Sequence, residues 1–201
     1  MSKSTQKYLE KSMETNSFLI GITGGFGSGK STSASFFESK GFKKIILSLF
    51  LEEEAKKRGF KRITRKILQD LGNEWRKNFG RGNLAEKAID FIKKNKIEKA
   101  VIDGIRNAGE VERLKKEKNF ILLGIVSNKK NRFERLKNLK RREKLTWEIF
   151  KKLDRRDMGV GQKQAGLHVV ECIALSDIFI DNNGTKEEFE RKLPQFLKEI
   201  I

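Results

Sequence analysis

A short apolar run, Phe18, Leu19, Ile20 and Ile22, leads directly into Gly24-x-x-x-x-Gly29-Lys30-Ser31, and this junction constrains the chain more than any other stretch. The run has the make-up of a buried parallel strand, and the glycine spacing fits G-x-x-x-x-G-K-[ST]. Glycines let successive backbone N–H groups curl inward around a polyphosphate with no Cβ in the way. A helix beginning near Gly29 aims the positive end of its dipole at the same anion. The pattern therefore predicts a strand, a phosphate-binding loop and a helix. Gly24, Gly25, Phe26, Gly27, Ser28, Gly29, Lys30, Ser31 and Thr32 enclose the phosphates. Lys30 extends toward the β- and γ-phosphates, and the Ser31 hydroxyl is offered to Mg²⁺.

Further along, Ala100, Val101 and Ile102 read as a strand that delivers Asp103 at its carboxyl end, followed by Gly104, Ile105 and Arg106. Ligands bind at the carboxyl ends of strands in open parallel sheets, so Asp103 is the expected second magnesium-organising residue. Two more strands are expected over Phe120 to Val126 and Ile178 to Ile180, and a short one at Ile45, Ile46 and Leu47. Helices fill the intervals: Ser31 to Lys40, three segments between 51 and 98, one through Phe133 and Leu136, one from Trp147 to Asp157, and Lys186 to Ile201 with Pro194 inside it. Strands alternating with helices specify an α/β fold with a five-stranded parallel sheet. Residues 1–17 lack periodicity and are expected to form a mobile extension, and 18–201 a single domain.

Cys172 is the only cysteine, which excludes an internal disulfide and a thiolate metal cluster and makes a reducing cytoplasm the natural compartment. No apolar run is long enough to span a bilayer, so no membrane role is expected. The formal charge of +18 favours polyanionic partners. Thirteen basic residues against five acidic ones lie between Lys129 and Asp157, which concentrates the excess there. Asn128-Lys-Lys-Asn131 lacks the acid that a guanine edge requires, which excludes a GTPase reading. His168 has no second histidine or cysteine near it and reads as structural.

With these elements placed, the chain resembles the P-loop nucleotide kinase group, in particular dephospho-coenzyme A kinases and (deoxy)nucleoside monophosphate kinases. The resemblance rests on Ile22 to Thr32, Val101 to Arg106, and Ala174 to Ile180 followed by Asn182-Asn183-Gly184. It implies ATP and Mg²⁺ as cofactors, acceptor-side helices at about 51–98, and a basic helical lid at about 132–160. Arg141, Arg142 and Arg156 are the lid candidates for neutralising charge on the transferring phosphoryl group. Asn182 and Asn183 would lie beside the adenine, while Arg65, Arg76 or Arg106 would hold the acceptor.

Kinases of this group usually carry an aspartate just after the second strand, where this chain reads Leu47-Ser48-Leu49-Phe50. A phosphate acceptor is already anionic and requires no base, so the departure favours a nucleoside monophosphate over the ribose hydroxyl of dephospho-coenzyme A. A nucleic-acid-associated NTP-binding protein is the alternative that the basic lid suggests. Against it, no aromatic cluster for base stacking lies among the basic residues. The oligomeric state is left open.

Overall fold

The structure, a computed structural model, describes residues 17–137 and 145–200. The expected N-terminal extension, apart from Ser17, and the lid candidates Arg141 and Arg142 lie outside the described residues.

Five strands form one sheet: β1 (Phe18–Gly24), β2 (Lys43–Ile46), β3 (Lys99–Ile105), β4 (Phe120–Val126) and β5 (Ile178–Asp181). Every pairing is parallel, and the spatial order is β2-β3-β1-β4-β5. Nine helices are described: α1 (Lys30–Ser39), α2 (Leu47–Lys57), α3 (Arg65–Phe79), α4 (Asn83–Lys94), α5 (Ala108–Leu114), α6 (Lys129–Lys137), α7 (Trp147–Asp157), α8 (Val169–Ala174) and α9 (Lys186–Ile200).

Successive strand side chains point to opposite faces of the sheet, and here both faces are covered. Leu19, Ile102 and Leu122 belong to the core built with Leu51, Leu71, Ile89 and Leu114 from α2 to α5. Their chain neighbours Ile20, Val101 and Leu123 belong to the opposite core, with Phe37 of α1 and Phe189, Leu193 and Phe196 of α9. This two-sided burial is why the strands read as continuous apolar runs. A third, smaller cluster joins Phe26 of the phosphate loop to Leu136 of α6 and Phe150 of α7, with Phe133 and Trp147 packed against it.

Two expected boundaries move. Leu47 is the first residue of α2 and not the end of β2; it is buried in the core from its helical position, directly after the extended Ile46. Strand β3 continues past Asp103 to Ile105. Gly104 has φ +93, and the register against β1 shifts there, so the strand kinks where the site begins. Helix α9 runs through Pro194 without ending. The α8 segment is buried on one side only: Val169 and Cys172 are inside, and Val170 is exposed. No helix among the described residues is long and apolar enough to cross a membrane.

Candidate active site

Strand β1 sits between β3 and β4, so the loop that follows it emerges at the middle of the sheet's carboxyl edge. Gly27 and Gly29 have φ of +83 and +112. A Cβ on Gly27 would stand 2.7 Å from the Arg132 carbonyl oxygen, and one on Gly29 would stand 2.5 Å from Asn182 Nδ2. The glycines are therefore required by close approach as well as by conformation. Lys30, the first residue of α1, turns back to donate to the carbonyls of Gly24 (2.7 Å) and Gly25 (2.9 Å). Burial, with Arg106 nearby, lowers its pKa to about 7, only partly offset by Asp103 and Asp157.

A cleft of about 540 Å³ opens over this loop. Phe26 to Thr32, Asp103, Arg106, Arg65 and Asn182 line it, so the sequence-derived loop, strand-end acid and two acceptor arginines converge on one space. Asp103 is 6% exposed, and its Oδ1 is buried without a hydrogen-bond partner. A buried carboxylate oxygen left unpaired is costly, and a bound cation would relieve it. The described residues contain no group of three or more His, Cys, Asp or Glu side chains arranged to hold a metal. One hydroxyl and one carboxylate, as Ser31 and Asp103 offer, suit Mg²⁺, which takes one or two protein oxygens and draws the rest of its shell from water and phosphate. Ser31 and Asp103 both line the cleft and fit that role.

Asn182 follows β5 and donates from Nδ2 to the Ser28 carbonyl (2.7 Å), tying the fifth strand's end to the phosphate loop. Asn183 is exposed and is not among the cleft-lining residues; its side-chain oxygen accepts from the Asn128 N–H. Arg156 does not line the cleft either. It faces α3, where it donates to Asp70 Oδ1 at 2.6 Å.

Arg76, the third acceptor candidate, does not line this cleft. It is 4% exposed and forms an ion pair with the fully buried Glu110 at 2.9 Å. The other Glu110 oxygen accepts from the backbone N–H groups of Arg106 (2.8 Å) and Asn107 (3.2 Å). One carboxylate thus fixes Arg76 and the segment that carries Arg106. Asn107 caps α5 in return, completing a capping box with Glu110.

Several residues that the sequence reading passed over complete the site. Asp157, at the end of α7, binds Arg65 and accepts from Gln69 Nε2 at 2.7 Å, with Arg106 3.8 Å away. Burial alone would raise this carboxyl; Arg65, Arg106, Lys30 and the Gln69 hydrogen bond overcome it and hold its pKa below the ordinary value. Arg132 of α6 donates to the Phe26 carbonyl (3.1 Å) and pairs with the buried Asp154. Arg135 lines the cleft from the same helix. Asn107-x-x-Glu110 is a readable capping signal that marks Glu110 from sequence. Asp154 and Asp157 stand out as acids in a basic segment, and that contrast is the available signal for their buried partners.

No protein-family model matches the sequence. The UPF0200 protein TK1334 of Thermococcus kodakarensis is 30% identical over 191 residues, which cover 91% of this chain and 98% of that protein. A UPF0200 protein of Sulfurisphaera tokodaii is 35% identical over 184 residues, covering 91% and 97%. Among solved structures, TT1252 from Thermus thermophilus aligns with a TM-score of 0.59 at 20% identity over 93% of this chain and 100% of that one. Shikimate kinase from Bacteroides thetaiotaomicron aligns with a TM-score of 0.53 at 15% identity over 91% and 98%. A sugar kinase from Janibacter sp. gives 0.53 at 10% identity over 90% and 95%. At such identities these structures establish the fold, which is that of the P-loop kinases.

Proposed function

The chain belongs to the UPF0200 family, and from that premise we propose that it is an ATP- and Mg²⁺-dependent phosphotransferase acting on a small anionic acceptor. The observation that carries the reading is the convergence of Lys30, Ser31, Asp103 with its unpartnered Oδ1, and Arg106 on one cleft at the strand ends.

The roles follow from charge and position. The loop amides and the α1 N-terminus receive the ATP phosphates. Lys30 exchanges its two carbonyl partners for phosphate oxygens. Ser31 and Asp103 would hold Mg²⁺, which when bound neutralises charge on the β- and γ-phosphates. Asn182, Arg135 and the α9 side of the cleft receive the nucleoside. Arg106 and Arg65 orient the acceptor, and the segment 132–160 acts as the lid.

Attack by an acceptor oxyanion forms the new P–O bond as the bond from the γ-phosphorus to its bridging oxygen breaks. The electron pair leaves on ADP, and no proton has to move. Catalysis is then positioning and electrostatics, which is what an arginine-lined cleft provides. Asp157 and Glu110 act as positioning residues, since each holds arginines and neither is a described ligand of the phosphate loop.

The test is ADP release with Mg²⁺-ATP across a panel of anionic acceptors, with Lys30→Ala alongside. Stimulated turnover that falls by about 10²–10³ in the variant supports the reading. Undiminished turnover in a folded Lys30→Ala protein refutes it.

A further inference from the structure

Behind the main cleft lies a recess of about 60 Å³, joined to it through Ser48, Arg65, Gly104 and Arg106. Five leucines line it, and Gln69 and Arg76 close it on the α3 side. Gln69 is 2% exposed, and its Oε1 is buried with no hydrogen-bond partner. The amide orientation is fixed, because Nε2 donates to the Asp157 carboxylate and a carboxylate can only accept. Gln69, one of the recess-lining residues, therefore carries a buried acceptor atom whose lack of a partner costs about 1–3 kcal/mol.

Resting on the phosphotransferase reading, we propose that this recess is the acceptor subsite and that it takes a compact oxyanion, phosphate or carboxylate, carrying one O–H or N–H group for Gln69. Three observations converge on that class. At roughly 10–15 Å³ per water, the recess of about 60 Å³ holds about four to six water-sized groups, too little for a nucleobase with its ribose. Its charge lies at the mouth: Arg76 is neutralised by Glu110, whereas Arg106 comes no nearer to Asp157 than 3.8 Å and faces the cleft. Apart from the arginines, Gln69 and Ser48 its lining is five leucines and Gly104, so a short carbon skeleton with one donor fits it.

The oxyanion meets Arg106 and Arg65 at the mouth, next to the γ-phosphate position, and its own lone pair attacks phosphorus. The products are ADP and a diphosphate or an acyl phosphate, according to the acceptor. Gln69 selects among acceptors by hydrogen bond, and the leucine walls select by size.

The experiment combines calorimetry of ATP binding with ADP release from Mg²⁺-ATP. The compact arm contains glycerol 3-phosphate, 3-phosphoglycerate, glycerate and malate, and the large arm contains AMP, CMP, GMP, UMP and TMP. Propyl phosphate serves as a glycerol 3-phosphate analogue without donors. A compact compound should stimulate turnover well above the acceptor-free rate, and loss of its donor group should raise KM by about tenfold. Gln69→Leu, which also removes the hydrogen bond to Asp157, should raise KM for the donor-bearing compound by a larger factor than KM for the analogue. The phosphate and carboxylate members separate the two oxyanion sources.

Turnover confined to the nucleoside monophosphates overturns the proposal, as does an unchanged KM in Gln69→Leu. ATP binding without turnover of any compact acceptor overturns the acceptor class alone. Absence of ATP binding overturns the phosphotransferase reading itself. The donor-deleted analogue tests the wild-type protein, so the proposal stays falsifiable if Gln69→Leu does not fold.

Discussion

The guanidinium of Arg65 lies over the ring of Phe26, 4.0 Å from its centroid. Phe26 belongs to the phosphate loop, Arg65 begins α3, and Arg65 also pairs with Asp157 at the end of α7. One cation therefore touches the phosphate loop, α3 and α7. A desolvated cation–π contact contributes up to about 2 kcal/mol, and Phe26 also stacks on Phe150 at 6.0 Å.

Phe26→Leu keeps apolar volume but removes the ring face. It should raise KM for the acceptor several-fold while lowering stability by about 1–2 kcal/mol, read from urea denaturation. Phe26→Ala opens a cavity in the cluster with Leu136 and Phe150 and should cost about 3–5 kcal/mol. Equal kinetics in wild type and Phe26→Leu would remove the ring from the account of Arg65.

Asp157 gives a pH signature. Its folded-state pKa is held below the unfolded value, chiefly because Arg65 and Arg106 outweigh the cost of burial. Its contribution is fully present above the unfolded carboxyl pKa of about 3.9 and is lost as pH falls through the lower folded value. Urea titrations between pH 6 and pH 3, to take a convenient range of roughly three units, should show a steeper acid loss for wild type than for Asp157→Asn. At neutral pH the variant should be less stable, since it leaves two partly buried guanidiniums without their carboxylate. Parallel acid profiles would show that Asp157 carries no depressed pKa.

Two glycines with positive φ should respond differently to alanine. Gly161 has φ +72 with open space around its Cβ position, so Gly161→Ala should cost only the left-handed backbone, about 1–2 kcal/mol. Gly27→Ala carries that cost and also drives a methyl against the Arg132 carbonyl and Leu136. It should be the less stable of the two in thermal melts and should lose ATP binding in calorimetry. Similar ATP affinity in both variants would mean that the loop tolerates a Cβ at Gly27.

Cys172 is fully buried, and burial pushes its thiol well above the ordinary range. Alkylation by iodoacetamide should be negligible in the native protein and rapid in urea, so labelling follows opening of the region around α8. Rapid native labelling would show that α8 detaches from the sheet without global unfolding.

The sheet was legible because both its faces are buried, which turns each strand into an apolar run that needs no partner to be recognised. The phosphate loop was legible because its chemistry is local. Asp103 was legible because a strand end is a place in sequence as well as in space. The pairings around α3 and α7 are long-range, and the local signals that mark Glu110, Asp154 and Asp157 do not say which partners they meet: Arg76 with Glu110, Arg65 and Gln69 with Asp157, Arg132 with Asp154. Arg65 and Arg76 share a helix and a residue type, yet one lines the main cleft and the other closes the recess. Only the residues that each meets, tens of positions away, separate them. The start of α2 at Leu47 was missed because no side chain caps that helix, leaving no stop signal between strand and helix.

Because β1 is hydrogen-bonded on both edges, to β3 and β4, the phosphate loop hangs from the central strand of the sheet. Its amides should be among the last to exchange with deuterium. Warming the protein should therefore end ligand capture and native structure in a single step, with no temperature window in which a folded chain has lost its loop.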